Sequence, residues 1–181
     1  MRKVIIIGTL HLGLTPKDDL ATILEELKPT QLLLELPEDK GSRIKTELHA
    51  DEMGFANNWA DLNGIKVSYF DTDTSVLKDP NIEDDPAFQK LVQEQVEELK
   101  SYSWQELNKK ELWQSGRTAA IEEELRSKYF DTEKWESREW AMLKNIHRHM
   151  DHEGVIVILT GAGHLDFFEK ELPEADMIFR K

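Results

Sequence analysis

The sequence predicts an α/β fold: a mostly parallel or mixed central sheet with flanking helices and a helical insertion. Short all-apolar runs, Val4–Ile7 near the start and Val155–Leu159 near the end, suit strands buried on both faces of a parallel sheet. Strand-like and amphipathic helical stretches alternate at both ends of the chain, the order that builds such sheets. From about residue 84 to 152 the strand signal stops. A polar, Glu/Lys-rich segment of helical period replaces it and carries four of the five tryptophans. The 181 residues therefore read as a single α/β domain with a helical insertion or lid at about 84–152.

Each element has its own signal. After the first strand, Thr15-Pro16 opens a helix with Thr15 as N-cap and Pro16 as first helical residue. Leu20, Ile23, Leu24 and Leu27 form its apolar stripe, and Pro29 ends it. Gln31 to Pro37 is the second strand, which Pro37 stops, with Glu35 near its C-terminal end. Residues from about 40 to 60 read as helical. Ile65 to Phe70 is the third strand, followed by Asp71-Thr72-Asp73. The insertion reads as two or three helices, broken near Gly116 and at Tyr129–Thr132. Val155–Leu159 then gives a strand, 164–171 a helix, and Asp176–Arg180 a last strand.

Composition excludes some functions. A net charge of −13 lacks the basic footprint of a nucleic-acid binder and disfavours anionic membranes. The absence of cysteine excludes disulfides and thiolate zinc sites and fits a cytoplasmic address. No run approaches the roughly 18 apolar residues of a membrane span.

Ligands of open α/β sheets bind beyond the carboxyl ends of the strands. The chain order brings His11, Glu35, Asp71 and His164 to that edge from four strands. The two histidines close similar motifs, Gly8-Thr9-Leu10-His11 and Gly161-Ala162-Gly163-His164. Glycine three residues before each histidine allows a tight turn and close backbone approach. His164 at a helix start is expected to be a neutral imidazole, because the helix dipole there disfavours a cation. Glu35, set among leucines, must be paired, protonated or metal-bound, since an isolated buried carboxylate is costly. Two histidines and a carboxylate are a common three-ligand set for zinc or another divalent metal, with a position open to water.

On a helix over Asp131–Met150, Trp135, Met142 and Ile146 fall within about 40° of one another. Arg138 lies about 40° from Met142, at the edge of the apolar arc. It either covers the core edge with its stem or pairs with a carboxylate or ligand. Asp71 and Asp73 are either supporting groups of the site or turn residues. The tract His147-Arg148-His149-Met150-Asp151-His152 resembles a metal site in one-letter code, but His147 and His149 point roughly 200° apart on a helix. His149 reads as a core histidine and His49 as a surface one. Trp140, opposite Met142, gives that helix a second apolar face, explained by a homo-oligomer contact or by an enclosed helix.

Together, Gly8-Thr9-Leu10-His11 with Gly13, Glu35-Leu36-Pro37, Arg138 with Met142 and Ile146, and Gly161-Ala162-Gly163-His164-Leu165 resemble the TraB/TIKI superfamily. That group is described by paired G-x-x-H motifs and a glutamate. It is related more distantly to erythromycin esterase-like and ChaN-like proteins. The match touches both chain ends and the last long helix, and leaves out about 40–130. The resemblance implies a metal-dependent hydrolase, with His11, His164 and Glu35 as metal or catalytic residues and Arg138 as the helix arginine.

The expectation is therefore a metal-dependent hydrolase of an amide or ester bond in a small-molecule or peptide substrate. His11 and His164 hold a divalent ion (Zn, Mn or Co). Glu35 either completes the ligand set or acts as general base on the metal-bound water. Arg138 binds a substrate carboxylate or stabilises the oxyanion. The alternatives are a metal-free esterase with a histidine base oriented by Glu35, a haem- or ligand-binding module of ChaN-like type with His11 or His164 as axial ligand, and a protein-interaction domain on the tryptophan-bearing helices.

Overall fold

Helices cover both faces of a five-stranded parallel sheet in a computed structural model that describes residues 1–10, 13–37, 51–72 and 82–180. The elements are β1 (Arg2–Thr9), α1 (Lys17–Leu27), β2 (Gln31–Pro37), α2 (Asp51–Asn63) and β3 (Lys66–Asp71). A 3₁₀ turn (Ile82–Asp84) leads into α3 (Pro86–Leu99), α4 (Trp104–Leu107), α5 (Lys110–Gln114), α6 (Gly116–Tyr129) and α7 (Thr132–His149). Then follow β4 (Gly154–Gly161), a 3₁₀ turn (Ala162–His164), α8 (Leu165–Glu171) and β5 (Asp176–Met177). The sheet order is β3-β2-β4-β1-β5, and every pairing is parallel.

Alternation along each strand divides the core in two. Val4, Ile6, Leu33, Ile156 and Ile158 face the layer built by α7 and α8, with Met142, Ile146 and Phe168. Ile5, Ile7, Leu32, Leu34, Val157 and Leu159 face α1 and α2, with Leu20, Leu24, Met53 and Ala60. Leu32, Leu33 and Leu34 are all fully buried. Each such side chain contributes about 1.5–3 kcal/mol by leaving water. This explains why the strands read as unbroken apolar runs.

The first helix corrects the sequence reading in detail. Pro16, not Thr15, is the N-cap, with no side-chain cap. The Thr15 hydroxyl instead turns back to Leu10, accepting from its N–H at 2.8 Å and donating to its C=O at 3.0 Å. At the other end Lys28 takes φ +49 and donates to Leu24 C=O, so the chain leaves the helix before Pro29.

The insertion is more broken than its composition suggests. A capping box, Ser103 with Glu106, starts α4 inside the Glu/Lys-rich run. Gly116, at φ +81, opens α6 with one residue between it and the end of α5. Asp131 caps α7 by accepting from Lys134 N–H at 3.1 Å. The insertion is also bonded to the sheet. β5 pairs with β1 only at Ile5 and Ile6. Further along the same edge the Asn108 side chain accepts from Gly8 N–H (2.9 Å) and donates to Gly8 C=O (3.0 Å), and Trp104 Nε1 donates to the same carbonyl (2.9 Å). A buried amide thus stands in for a neighbouring strand. Gly8 is required by crowding rather than by a turn: a Cβ there would lie 2.7 Å from both Asn108 Oδ1 and Leu165 Cδ1. Among the described residues no helix is long and apolar enough to cross a membrane.

Candidate active site

The chain runs outward from β1 to β2 and β3, and β4 then returns between β2 and β1. Such a reversal opens a crevice at the carboxyl ends of the strands. Leu34 pairs with Leu159, Pro37 with Asp71, and Thr9 with Gly161. Register therefore brings Glu35, Asp71 and the Thr160–His164 segment to one place. α7 crosses above them with Trp135, Arg138 and Glu139.

Arg138 binds three of these groups. Its Nε and Nη2 donate to Asp71 Oδ1 and Oδ2, each at 2.9 Å. Nη2 also donates to Glu35 Oε1 at 2.9 Å, and Nη1 lies 3.1 Å from His164 Nε2. The second Glu35 oxygen accepts from Gly161 N–H at 2.6 Å and the Thr160 hydroxyl at 2.7 Å. His164 Nδ1 contacts Glu139 Oε1 at 2.8 Å, and Nε2 is 3.4 Å from Glu35 Oε1. Trp135 stacks on the imidazole, with centroids 5.0 Å apart and planes 16° apart. The side chains of Glu35, Asp71, Arg138 and His164 are all at least nine-tenths buried. A buried charge survives only when paired in this way.

Electrostatics follow from two carboxylates, Asp71 and Glu35, on one guanidinium and a third, Glu139, on the imidazole. Burial pushes Glu35 upward, but His164, Arg138 and the Thr160 hydroxyl outweigh it and hold Glu35 well below the usual carboxylate range. Burial pulls His164 downward, yet the charge of Glu35 and the hydrogen bond to Glu139 raise it to about 9, against the opposing charge of Arg138. This corrects the expectation of a dipole-neutralised imidazole: the nearby carboxylates exceed the helix-end effect, and α8 is only seven residues long. Two partners nevertheless compete for Nε2. An imidazolium turns Nε2–H toward Glu35. The seated Arg138, which can only donate, needs the lone pair there and so needs the neutral ring with its proton on Nδ1.

A cavity of about 270 Å³ opens on this cluster, with Thr9, Leu10, Trp113, Trp135, Glu122 and His164 among its walls. That is slightly below the roughly 300–1,000 Å³ of ordinary ligand pockets, so it admits a small group and is small for haem.

The structure brings Glu35, Arg138, His164 and Asp71 together. His11 and Asp73 lie outside the described residues, as does His49. The His147–His152 tract precedes β4, whereas His164 follows it, so an eight-residue strand of about 26 Å lies between them. His149 ends α7 there, its carbonyl accepting from Gln31 Nε2. Gly161 and Gly163 are not sterically forced, since a Cβ at either would make only ordinary contacts. Trp140 is 53% exposed, set edge-on to Phe167.

Sequence reasoning missed Glu139. The signal was present: on the same wheel it falls about 20° from Ile146, deeper in the apolar arc than Arg138. A carboxylate there needs a buried partner, and His164 is that partner. Comparison with known proteins adds no relative: no family model, curated protein or solved structure matches this chain.

Proposed function

We propose that this protein is a metal-dependent hydrolase of an amide or ester bond, working in the cavity at the carboxyl ends of β1, β2 and β4. The observation that carries the reading is the convergence of His164 Nε2 and Glu35 Oε1, 3.4 Å apart, with the other side of each group already anchored. Two ligands of a tetrahedral ion with bonds near 2.1 Å stand about 3.4 Å apart. A metal-bound histidine commonly gives its second ring nitrogen to a carboxylate, the part Glu139 plays here. Both donors suit such an ion and the guanidinium lying against them is a stand-in cation, while among the described residues no group of three or more His, Asp or Glu side chains is placed to hold a metal. Described residues supply two donors, and His11 from the first G-x-x-H motif is proposed as the third.

A bound divalent ion would supply a water of lowered pKa and polarise the scissile carbonyl. The chain's own residues do the remaining work. Glu139 holds the ring at Nδ1, so that Nε2 carries the lone pair whenever His164 is in its neutral form. Thr160 and Gly161 fix Glu35 with Oε1 facing His164. The aromatic and apolar walls, Trp113, Trp135 and Leu10, shield the reacting bond from bulk water.

One observation favours a metal-free variant, an esterase-like hydrolase with His164 as general base. Arg138 already neutralises Glu35 without a metal, and Glu139 at Nδ1 orients the ring; in this reading Arg138 releases Nε2 to free the lone pair that takes the proton. The test is metal analysis of protein purified without a nickel column, followed by a screen of ester and peptide substrates with and without chelator. Stoichiometric metal lost in His164→Ala and Glu35→Gln, with hydrolysis abolished by chelation, supports the first reading. Hydrolysis that survives chelation but not His164→Ala selects the second. A protein that hydrolyses nothing, and binds no Zn²⁺, Mn²⁺ or Co²⁺ after reconstitution, overturns both.

A further inference from the structure

We infer that Arg138 is a resident cation that a divalent metal must displace from Glu35 and His164, so that arginine and metal compete for the same two atoms. The inference rests on the metal reading above and adds a regulation to it.

The guanidinium lies where an ion would lie. Nη2 is 2.9 Å from Glu35 Oε1 and Nη1 is 3.1 Å from His164 Nε2, the two atoms whose separation matches a ligand pair. A guanidinium and a metal ion cannot both take the Nε2 lone pair. Close approach of two cations adds Coulomb repulsion in a buried site.

The donors do not need Arg138 to stay in place. Glu35 is anchored through its other oxygen by Gly161 N–H and the Thr160 hydroxyl. His164 is anchored by Glu139 at Nδ1 and by the Trp135 face. Arg138 also has somewhere to remain, because Asp71 grips Nε and Nη2 as a two-point clamp. Nη2 serves Asp71 Oδ2 and Glu35 Oε1 at once, so displacement turns the guanidinium about its Nε–Asp71 bond, breaking the contacts to Glu35 and His164 and leaving a one-point tether.

This assignment differs from the role expected for Arg138 from the sequence. Its contacts engage four of its five N–H groups: one on Nε, two on Nη2 and one on Nη1. One N–H is left, too few to fork onto a substrate carboxylate while the present contacts hold. A seated arginine keeps the empty site closed and internally neutralised. A displaced one carries its freed donors, still tethered to Asp71, beside the bound ion.

The test measures Mn²⁺ binding to the full chain by electron paramagnetic resonance of the free ion. Arg138→Met should tighten binding, on the order of tenfold or more, because a charge-assisted contact no longer opposes the ion. Arg138→Lys keeps a charge without the fork and should fall between. Removing Arg138 leaves Asp71 and Glu35 short of a partner and threatens folding, so a second measurement uses wild type alone. Saturation with Zn²⁺ should shift the Arg138 Nε–H signal in nitrogen-15 spectra. Folded variants that bind no tighter, or an Nε–H signal unmoved at saturation, overturn the inference. Metal bound by wild type and lost in His164→Ala, but indifferent to Arg138, overturns this inference alone. Metal bound equally by wild type and His164→Ala overturns the metal reading with it.

Discussion

Replacing Glu139 by Gln removes a charge beside His164 and changes almost nothing in shape. The amide oxygen still accepts from Nδ1–H, so the tautomer survives, while the carboxylate that favours the imidazolium is gone. The contact is 2.8 Å long and both side chains are at least nine-tenths buried. A hydrogen bond to a charged group contributes about 1.5–3 kcal/mol, and one pKa unit corresponds to about 1.36 kcal/mol. His164, raised from 6.5 to about 9 in the native protein, should therefore fall by about 1–2 units in Glu139→Gln. Stability should follow. A histidine whose folded pKa exceeds its unfolded one contributes its full stabilisation below about pH 6.5 and loses it as pH rises to about 9. For wild type that loss is on the order of 3 kcal/mol, or about 6–12 °C in Tm for a chain of this size. In Glu139→Gln the window should narrow and the loss should roughly halve. The assay pairs nitrogen-detected titration of the His164 ring with thermal unfolding at pH 6.5 and 9. An unchanged His164 titration in Glu139→Gln, or a wild-type Tm flat across that window, would refute the account of the site.

On the acid side the sign reverses: Glu35, held below the usual carboxylate range, contributes stability above about pH 4.5 that is lost progressively as pH falls. Glu35→Gln should flatten that acid limb in denaturant melts. Thr160→Val removes one hydroxyl donor from Glu35 and should cost about 1–2 kcal/mol in urea unfolding, with the strand otherwise unaltered. Gly8→Ala drives a methyl into Asn108 and Leu165 and should cost about 1–3 kcal/mol, read in the same assay. Mn²⁺ at 100 times its dissociation constant should stabilise wild type by about 2.7 kcal/mol and leave the melting of His164→Ala unmoved.

The sheet was legible because its strands are buried on both faces. Val4–Ile7, Leu32–Leu34 and Val155–Leu159 need no alternation to be recognised, and parallel pairing follows from the helices between them. The strand ends placed Glu35, Asp71 and His164 at one edge, and the helical wheel placed Arg138 near them. Glu139 was overlooked because a glutamate in a Glu-rich helix looks like solvent-facing charge until its angle is compared with that of Ile146. The network among these groups was not legible. Which oxygen meets which N–H depends on the β2–β4 register and on the height at which α7 crosses, and neither is written in local spacing. The same holds for Asn108, whose two bonds to Gly8 span 100 residues of sequence. The sign of the His164 shift was misread because the helix dipole was set against nothing, although the strand ends already place Glu35 at the same edge, and because the Glu139 contact is not visible in local spacing.

The place of β4 between β1 and β2 sets an order of events during synthesis. Its two neighbours leave the ribosome long before it does and must keep a slot open rather than zip to each other. Until β4 enters, Glu35 lacks the Thr160 hydroxyl and the Gly161 N–H, and His164 has not reached Glu139. The buried cluster is therefore completed only when the sheet closes. Variants that slow this insertion should accumulate chains with exposed β1 and β2 edges, prone to self-association.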